Sequence, residues 1–415
     1  MKKTILPNWE KIIDSGFGDK HNMCIWSMKK YKDYLYVGTL NFTNGCEVYR
    51  SKSGDKGTWK KVNENGFDVK KKCDGARTML VFNDLLWIVT YSKLYGSQVW
   101  VTNGEFDDNG RLLNWKKANI NGFGEGEIIP GSRAMAIYKN KLYIGTECRD
   151  RLPRIYRYDG PTDFDKIQSD KWIWINEDWE ENYFNIPNFS LIGEILSFRT
   201  PDNNEYMYIS IYSDVVHLIS KFRKKPNLKT ILEIVKFFYK TRCNILRYNG
   251  KKWEMGSIPG FGKKNIMAMA SLFFKGTIYF GTTKLIGGEI WKSEDGTNWE
   301  RIMKRGFSFP FNLSVWKIHI FENKFVVGMQ NQWFGCQIWA SKNENPNNKK
   351  DFIQIAKTGM TKRLQINPFK IKQDGIKTME TFDGKLYIGT ASYINILNTG
   401  TIIGPGCEIW RIDHI

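Results

Sequence analysis

Histidine is scarce in this chain, with four in 415 residues (His21, His217, His319, His414), none at metal-ligand spacing. The seven cysteines contain no Cys-x-x-Cys pair. The sequence therefore implies no metal and no cofactor, although a carboxylate-only cation site stays open. Cys46, Cys336 and Cys407 recur at one position of a repeat, too far apart to bridge one another, and are expected to be small buried hydrophobes. No run approaches about 18 apolar residues, so no membrane-crossing helix is expected. The opening Met1-Lys2-Lys3 is not followed by the apolar stretch of a secretory leader. A cytoplasmic protein is the resulting expectation, with contact at a membrane periphery as a further option.

Acidic residues are outnumbered: 43 Asp and Glu face 62 Lys and Arg, a net charge of +19. That balance favours an anionic partner such as nucleic acid, anionic lipid or an acidic small molecule, or else a lysine-rich solvated surface. No RNA- or DNA-binding motif accompanies the charge, so nucleic acid ranks last.

Aromatic residues are abundant, at 15% with 16 Trp, and they are periodic. An apolar stretch leads to Leu-Tyr-Val/Ile-Gly-Thr, clearest at Leu35–Thr39, Leu142–Thr146, Ile278–Thr282 and Leu386–Thr390. A Gly-x-Glu/Gln-Ile/Val-Trp/Tyr run follows, then a Trp-containing strand ending near Gly-Phe-Gly. Each unit reads as four short strands, and Asn83-Asp84, Asn140-Lys141 and Asp383-Gly384 mark hairpins between the first and second. Such repeats predict an all-β, seven-bladed β-propeller as a single domain. Its blades run at about 21–67, 73–124, 130–179, 187–262, 265–307, 312–359 and 374–415 plus 5–18. The last unit lacks a fourth strand. Asn8-Trp9-Glu10-Lys11-Ile12-Ile13 matches the fourth strand of the fifth unit, so the N-terminus is expected to complete the final blade and remove its open edge. Misreading the degenerate fourth unit would change the count to six or eight.

Ser293-Glu294-Asp295-Gly296-Thr297-Asn298-Trp299 resembles the Asp-box hairpin of sialidase-type propellers, shortened by one residue, and Ser51 to Trp59 is a looser copy. The resemblance implies a structural turn on the face opposite the ligand. It does not carry sialidase activity, which requires three arginines gripping a carboxylate, a Tyr/Glu pair and an Asp acid.

Counting back along each first strand picks out Trp26, Arg77, Arg133, Glu194, Met269, Trp316 and Lys377 as one ring at the tunnel mouth, above an apolar layer of Met28, Met79, Met135, Leu196 and Met379. Arg77, Arg133 and Lys377 would grip an anion, Trp26 and Trp316 would cover its carbon skeleton, and Glu194 would join them or pair with Arg133. Asp74 and Asp374 precede two of the cations by three residues, so Glu194, Asp74 and Asp374 are the candidate carboxylates should acid/base chemistry operate. Whether the chain is an enzyme stays open. An insertion at 213–243 carries Leu228, Ile231, Leu232, Val235 and Phe238 at helical spacing among lysines, forming either a lid on the propeller or a contact with an anionic membrane. Apolar loops at Leu94-Tyr95, Trp333-Phe334 and 393–405 share its face. The expected ligand is an anionic amphiphile. The alternatives are a protein- or membrane-docking scaffold without catalysis, and nucleic-acid binding through the basic surface.

Overall fold

A computed structural model describes residues 7–107, 110–149, 151–179, 191–213, 227–360, 373–392 and 405–415. The apolar loop expected at 393–404 and the start of the insertion, with Lys224 and Lys225, lie outside the described residues.

The strands form successive antiparallel meanders, each drawn from one sequence unit. Cys24–Tyr31, Tyr34–Leu40, Val48–Ser51 and Lys60–Lys61 make one. Gly75–Phe82, Leu85–Tyr91, Val99–Thr102 and Lys116–Lys117 make the next, and Gly131–Tyr138, Lys141–Glu147, Ile155–Tyr158 and Trp172–Trp174 the third. The degenerate unit folds likewise, through Leu191–Arg199, Glu205–Tyr212, Asn244–Tyr248 and Trp253–Met255. Meanders starting at Met267 and Ser314 follow. Gly375–Phe382, Lys385–Ala391 and Ile409–Ile412 take Glu10–Ile13 as their outer strand, with Lys11 opposite Trp410.

Two-residue turns with positive φ join first and second strands, as at Asn83-Asp84, whose backbone twist matches the flanking strands. In the third meander the turn is Lys139-Asn140, one residue before the expected Asn140-Lys141, because Tyr138 pairs with Lys141.

Aromatic contacts hold each meander to the next. The Phe of each Gly-Phe segment sits at positive φ and lays its ring on the third-strand aromatic of the following unit. Phe17 stacks on Tyr49 at 3.9 Å, Phe123 on Tyr156 at 4.1 Å and Phe307 on Trp339 at 4.4 Å. The outer-strand Trp then reaches back across the same seam. Trp115, Trp172, Trp299 and Trp9 donate their indole N–H to the carbonyls of Val62, Ala118, Gly256 and Ile355 in the preceding unit. The Glu or Gln of each Gly-x-Glu/Gln run accepts from the same third-strand aromatic: Glu47 from Tyr49, Gln98 from Trp100, Glu408 from Trp410. These recurrent acids are therefore structural. All seven cysteines are buried free thiols.

The Ser293–Trp299 hairpin is closed by Asp295, whose carboxylate accepts the Thr297 and Asn298 amides at 2.8 and 2.7 Å. Partial burial opposes ionisation of Asp295, but these amides outweigh it and hold the carboxyl well below the usual range. Gly296 lies at φ +77° against the Tyr208 hydroxyl of the preceding unit. Gly276, also at φ +77°, faces open space. Gly276→Ala should cost about 1 kcal/mol of unfolding free energy, the left-handed backbone penalty alone. Gly296→Ala adds a collision with Tyr208 and should cost at least about 2 kcal/mol more. Urea unfolding of both variants checks this, and equal losses would show that the seam yields at Tyr208.

Candidate functional site

The first strands lie side by side in a cycle: each neighbours the next, and Gly375–Phe382 returns beside Cys24–Tyr31. They enclose a central cavity of about 220 Å³ lined by residues from every one of them. Each first strand carries a register slip near its start, between Ile25 and Ser27, Ala76 and Thr78, Ser132 and Ala134, and so on round the cycle. Such a bulge leaves one residue unpaired and breaks strict alternation. Two consecutive residues per strand can then face inward, and the lining pairs Trp26 with Ser27, Arg77 with Thr78, Trp316 with Lys317 and Lys377 with Thr378.

The structure brings together Trp26, Arg77, Arg133, Glu194, Met269, Trp316 and Lys377 as expected from register, with one correction. In the fourth meander the slip falls between Ile192 and Glu194, so the bulged residue equivalent to Arg77 is Gly193. Glu194 occupies the following position, the equivalent of Lys317. The buried aromatic near the strand's end is Phe198, which packs edge-on to Tyr208 and stands as far beyond Gly193 as Phe82 does beyond Arg77. For the same reason Ile195, not Leu196, lines the cavity. Asp74 and Asp374 are not among the lining residues. Asp74 instead accepts the Lys93 amide at 2.8 Å in the loop after the second strand, and Asp374 is fully buried.

Lys317 and Glu147 were not anticipated. Lys317 faces inward only because of the bulge. Glu147 ends the second strand of the third unit, directly after Gly145-Thr146, and its Oε2 accepts from Arg77 at 2.7 Å, with side-chain exposures of 18% and 10%. The residue after each Gly-Thr was the available signal, since it lies opposite the start of the first strand. Glu194 does not form the expected pair with Arg133; its Oε2 accepts from Ser271 Oγ at 2.8 Å. Burial raises the Glu194 carboxyl above its ordinary value, against the pull of Lys317 and Arg133.

Both indoles are already covered by cations. Arg77 lies 5.1 Å from the Trp26 ring and Lys377 lies 4.7 Å from the Trp316 ring. Their edges press on Gly75 and Gly375, where a Cβ would collide with the indole. Trp26 and Trp316 therefore wall the cavity and each seats one of its cations. Burial, then repulsion by Arg133, pushes the Lys377 ammonium well below its ordinary pKa.

The insertion forms a helix, Leu228–Lys240. Its Phe237 and Phe238 pack on the core cluster that includes Trp316 and Leu191. Leu228, Ile231, Leu232 and Val235 stay 71, 43, 49 and 52% exposed. Of the five residues expected to act together, Phe238 alone is turned inward. No described helix is long and apolar enough to cross a membrane.

No protein-family model matches the chain, and no curated protein matches it by sequence. Solved structures do. YCF48 from Cyanidioschyzon merolae is similar at a TM-score of 0.52 and 10% identity, covering 98% of each chain. The Dos1 propeller matches at 0.52 and 9%, covering 98% of this chain and 95% of that one. The WD40 β-propeller domain of Doa1 matches at 0.50 and 9%, covering 97% of each. At such identities the likeness shows the fold: an all-β propeller built of repeats.

Lys377 holds its proton more weakly when folded than when unfolded. The unfolded chain therefore binds more protons across the alkaline window below pH 10.5, and stability rises with pH there. Lys377→Met should abolish that rise and, at neutral pH, stabilise the ligand-free protein by about 1–3 kcal/mol. Glu147→Gln should act oppositely, leaving Arg77 buried without its partner, at a cost of about 2–4 kcal/mol. Denaturant midpoints measured from pH 7 to 10 test both; a Lys377→Met variant less stable at every pH would contradict the assignment.

Proposed function

We propose that the chain is a seven-bladed propeller, latched by Glu10–Ile13 as the outer strand of its last blade, and that it serves as a docking scaffold without catalysis. The observation that carries this reading is where the exposed apolar side chains sit. In an antiparallel meander the loops between second and third strands, and those joining one unit to the next, leave from the same end. Leu94, Tyr95, Leu285, Ile286, Phe311 and Trp333 belong to those loops and are exposed. So is the Leu228, Ile231, Leu232, Val235 stripe of the insertion helix. The opposite end carries the short turns between first and second strands and the loops between third and fourth, where among the described residues Phe106 is the exposed large hydrophobic. An apolar concentration on one face marks an interaction surface.

Exposed Lys229, Lys236, Lys240, Lys263 and Lys264 lie on or beside the helix. The partner that fits is a protein surface with an apolar centre and an acidic rim. Two observations weigh against the catalytic alternative. Glu194 is the sole carboxylate lining the cavity among the described residues, and neither Asp74 nor Asp374 joins it. The Asp295 turn supports kinship with Asp-box propellers as a structural hairpin.

Replacing Ile231, Leu232 and Val235 together by Ser should leave the unfolding midpoint unchanged and weaken a purified protein partner, identified with the parent chain, by at least about tenfold in Kd. Flotation with anionic vesicles is the parallel arm. Vesicle binding lost with the same substitutions would assign the face to lipid, and equal protein binding by parent and variant would end the proposal.

A further inference from the structure

The central cavity collects more positive charge than the chain neutralises. Arg77 has Glu147. Arg133, Lys317 and Lys377 have no carboxylate oxygen within 4.0 Å among the described residues, and the one acid facing them, Glu194, is hydrogen-bonded to Ser271. Arg133 and Lys377 instead lie near aromatic rings, Tyr212 at 5.9 Å and Trp316 at 4.7 Å. Three cations sharing a small enclosed volume repel one another in a medium that screens poorly, and an aromatic face compensates only part of a lost hydration shell. An arrangement of this kind is stable when an anion completes it.

We propose that this cavity is a binding site for a small dianion presenting terminal oxygens, of the phosphate or dicarboxylate type, held by Arg133, Lys317 and Lys377. With the Lys377 proton held in place by the bound anion, three cations against one carboxylate leave an excess of two charges, which sets the charge of the ligand. At about 220 Å³ the cavity falls below the roughly 300–1,000 Å³ of sites that bury a drug-sized molecule. Met28, Met79 and Met135 also line it. A long-chain amphiphile is therefore too large, which revises the expectation from sequence. Arg133 supplies a planar fork for two oxygens, and the two lysines supply mobile point charges around it. The site lies within the ring of first strands and does not depend on what the loop face docks.

The test uses the full chain, freed of anions by dialysis against chloride buffer and titrated calorimetrically with inorganic phosphate and, separately, malonate at constant ionic strength. Saturable one-to-one binding of either, with a rise in thermal midpoint, is expected. Phosphate alone binding assigns a phosphate-type ligand, and malonate alone a dicarboxylate. Arg133→Gln and Lys317→Gln should each weaken binding by about tenfold or more, while Lys70→Gln combined with Lys71→Gln, on the exposed surface, should not. Should Arg133→Gln fail to fold, Lys317→Gln, whose side chain is partly exposed, decides the matter. No saturable heat with either anion, or equal weakening by the Lys70/Lys71 variant, would overturn the proposal, the latter by tracing binding to diffuse surface charge.

Discussion

The seam between neighbouring meanders is the contact on which the rest of the structure depends. At the seams between the first and second, second and third, and fourth and fifth meanders, a Phe in the left-handed region stacks on the next unit's Tyr or Trp while a Trp indole binds a carbonyl of the unit before. The seams at Phe17, Phe307 and Trp9 carry one half of this contact. A four-stranded sheet cannot bury both of its faces alone, so its stability comes from its neighbours. Aromatic rings suit the seam because a stacked pair fills the gap between two splayed sheets, and the indole N–H gains a buried acceptor. The strain of a Phe at positive φ is local, and the stack repays it.

This seam also determines what lies at the centre. Holding the sheets in a cycle brings the first strands together, and their bulges turn two side chains inward at the same level of nearly every strand. Hydroxyls then tie the inner strands to one another: Ser27 Oγ donates to the Ala76 carbonyl and Thr78 Oγ1 to that of Arg133. Cations gather at this level because few positions on the ring are acidic. The same geometry that packs the aromatic seams thus sets up an electrostatically unbalanced core.

The insertion helix illustrates a different compromise. Its sequence has enough apolar positions for two stripes, and only the one containing Phe237 and Phe238 is used against the sheets. A single helix contacts the sheets along one side, so the Leu228, Ile231, Leu232, Val235 stripe is left outward among lysines. Helical spacing revealed the amphipathic pattern but not which side would face the protein.

The repeating unit was legible in the sequence because its determinants are local: alternating strands, turn residues with positive φ, and the aromatic that recurs once per unit. The ring of Trp26, Arg77, Arg133 and Lys377 could be found the same way, since register within one strand follows from its neighbours in sequence. Tertiary structure decided everything that rests on contacts between units. It placed the bulge of the fourth unit's first strand at Gly193, so that Glu194 lines the cavity at the position equivalent to Lys317. It turned Lys317 inward through a bulge, and it gave Arg77 a partner 70 residues away in Glu147. Pairing across a seam depends on how two separately encoded sheets meet, and no periodicity within either one records that meeting.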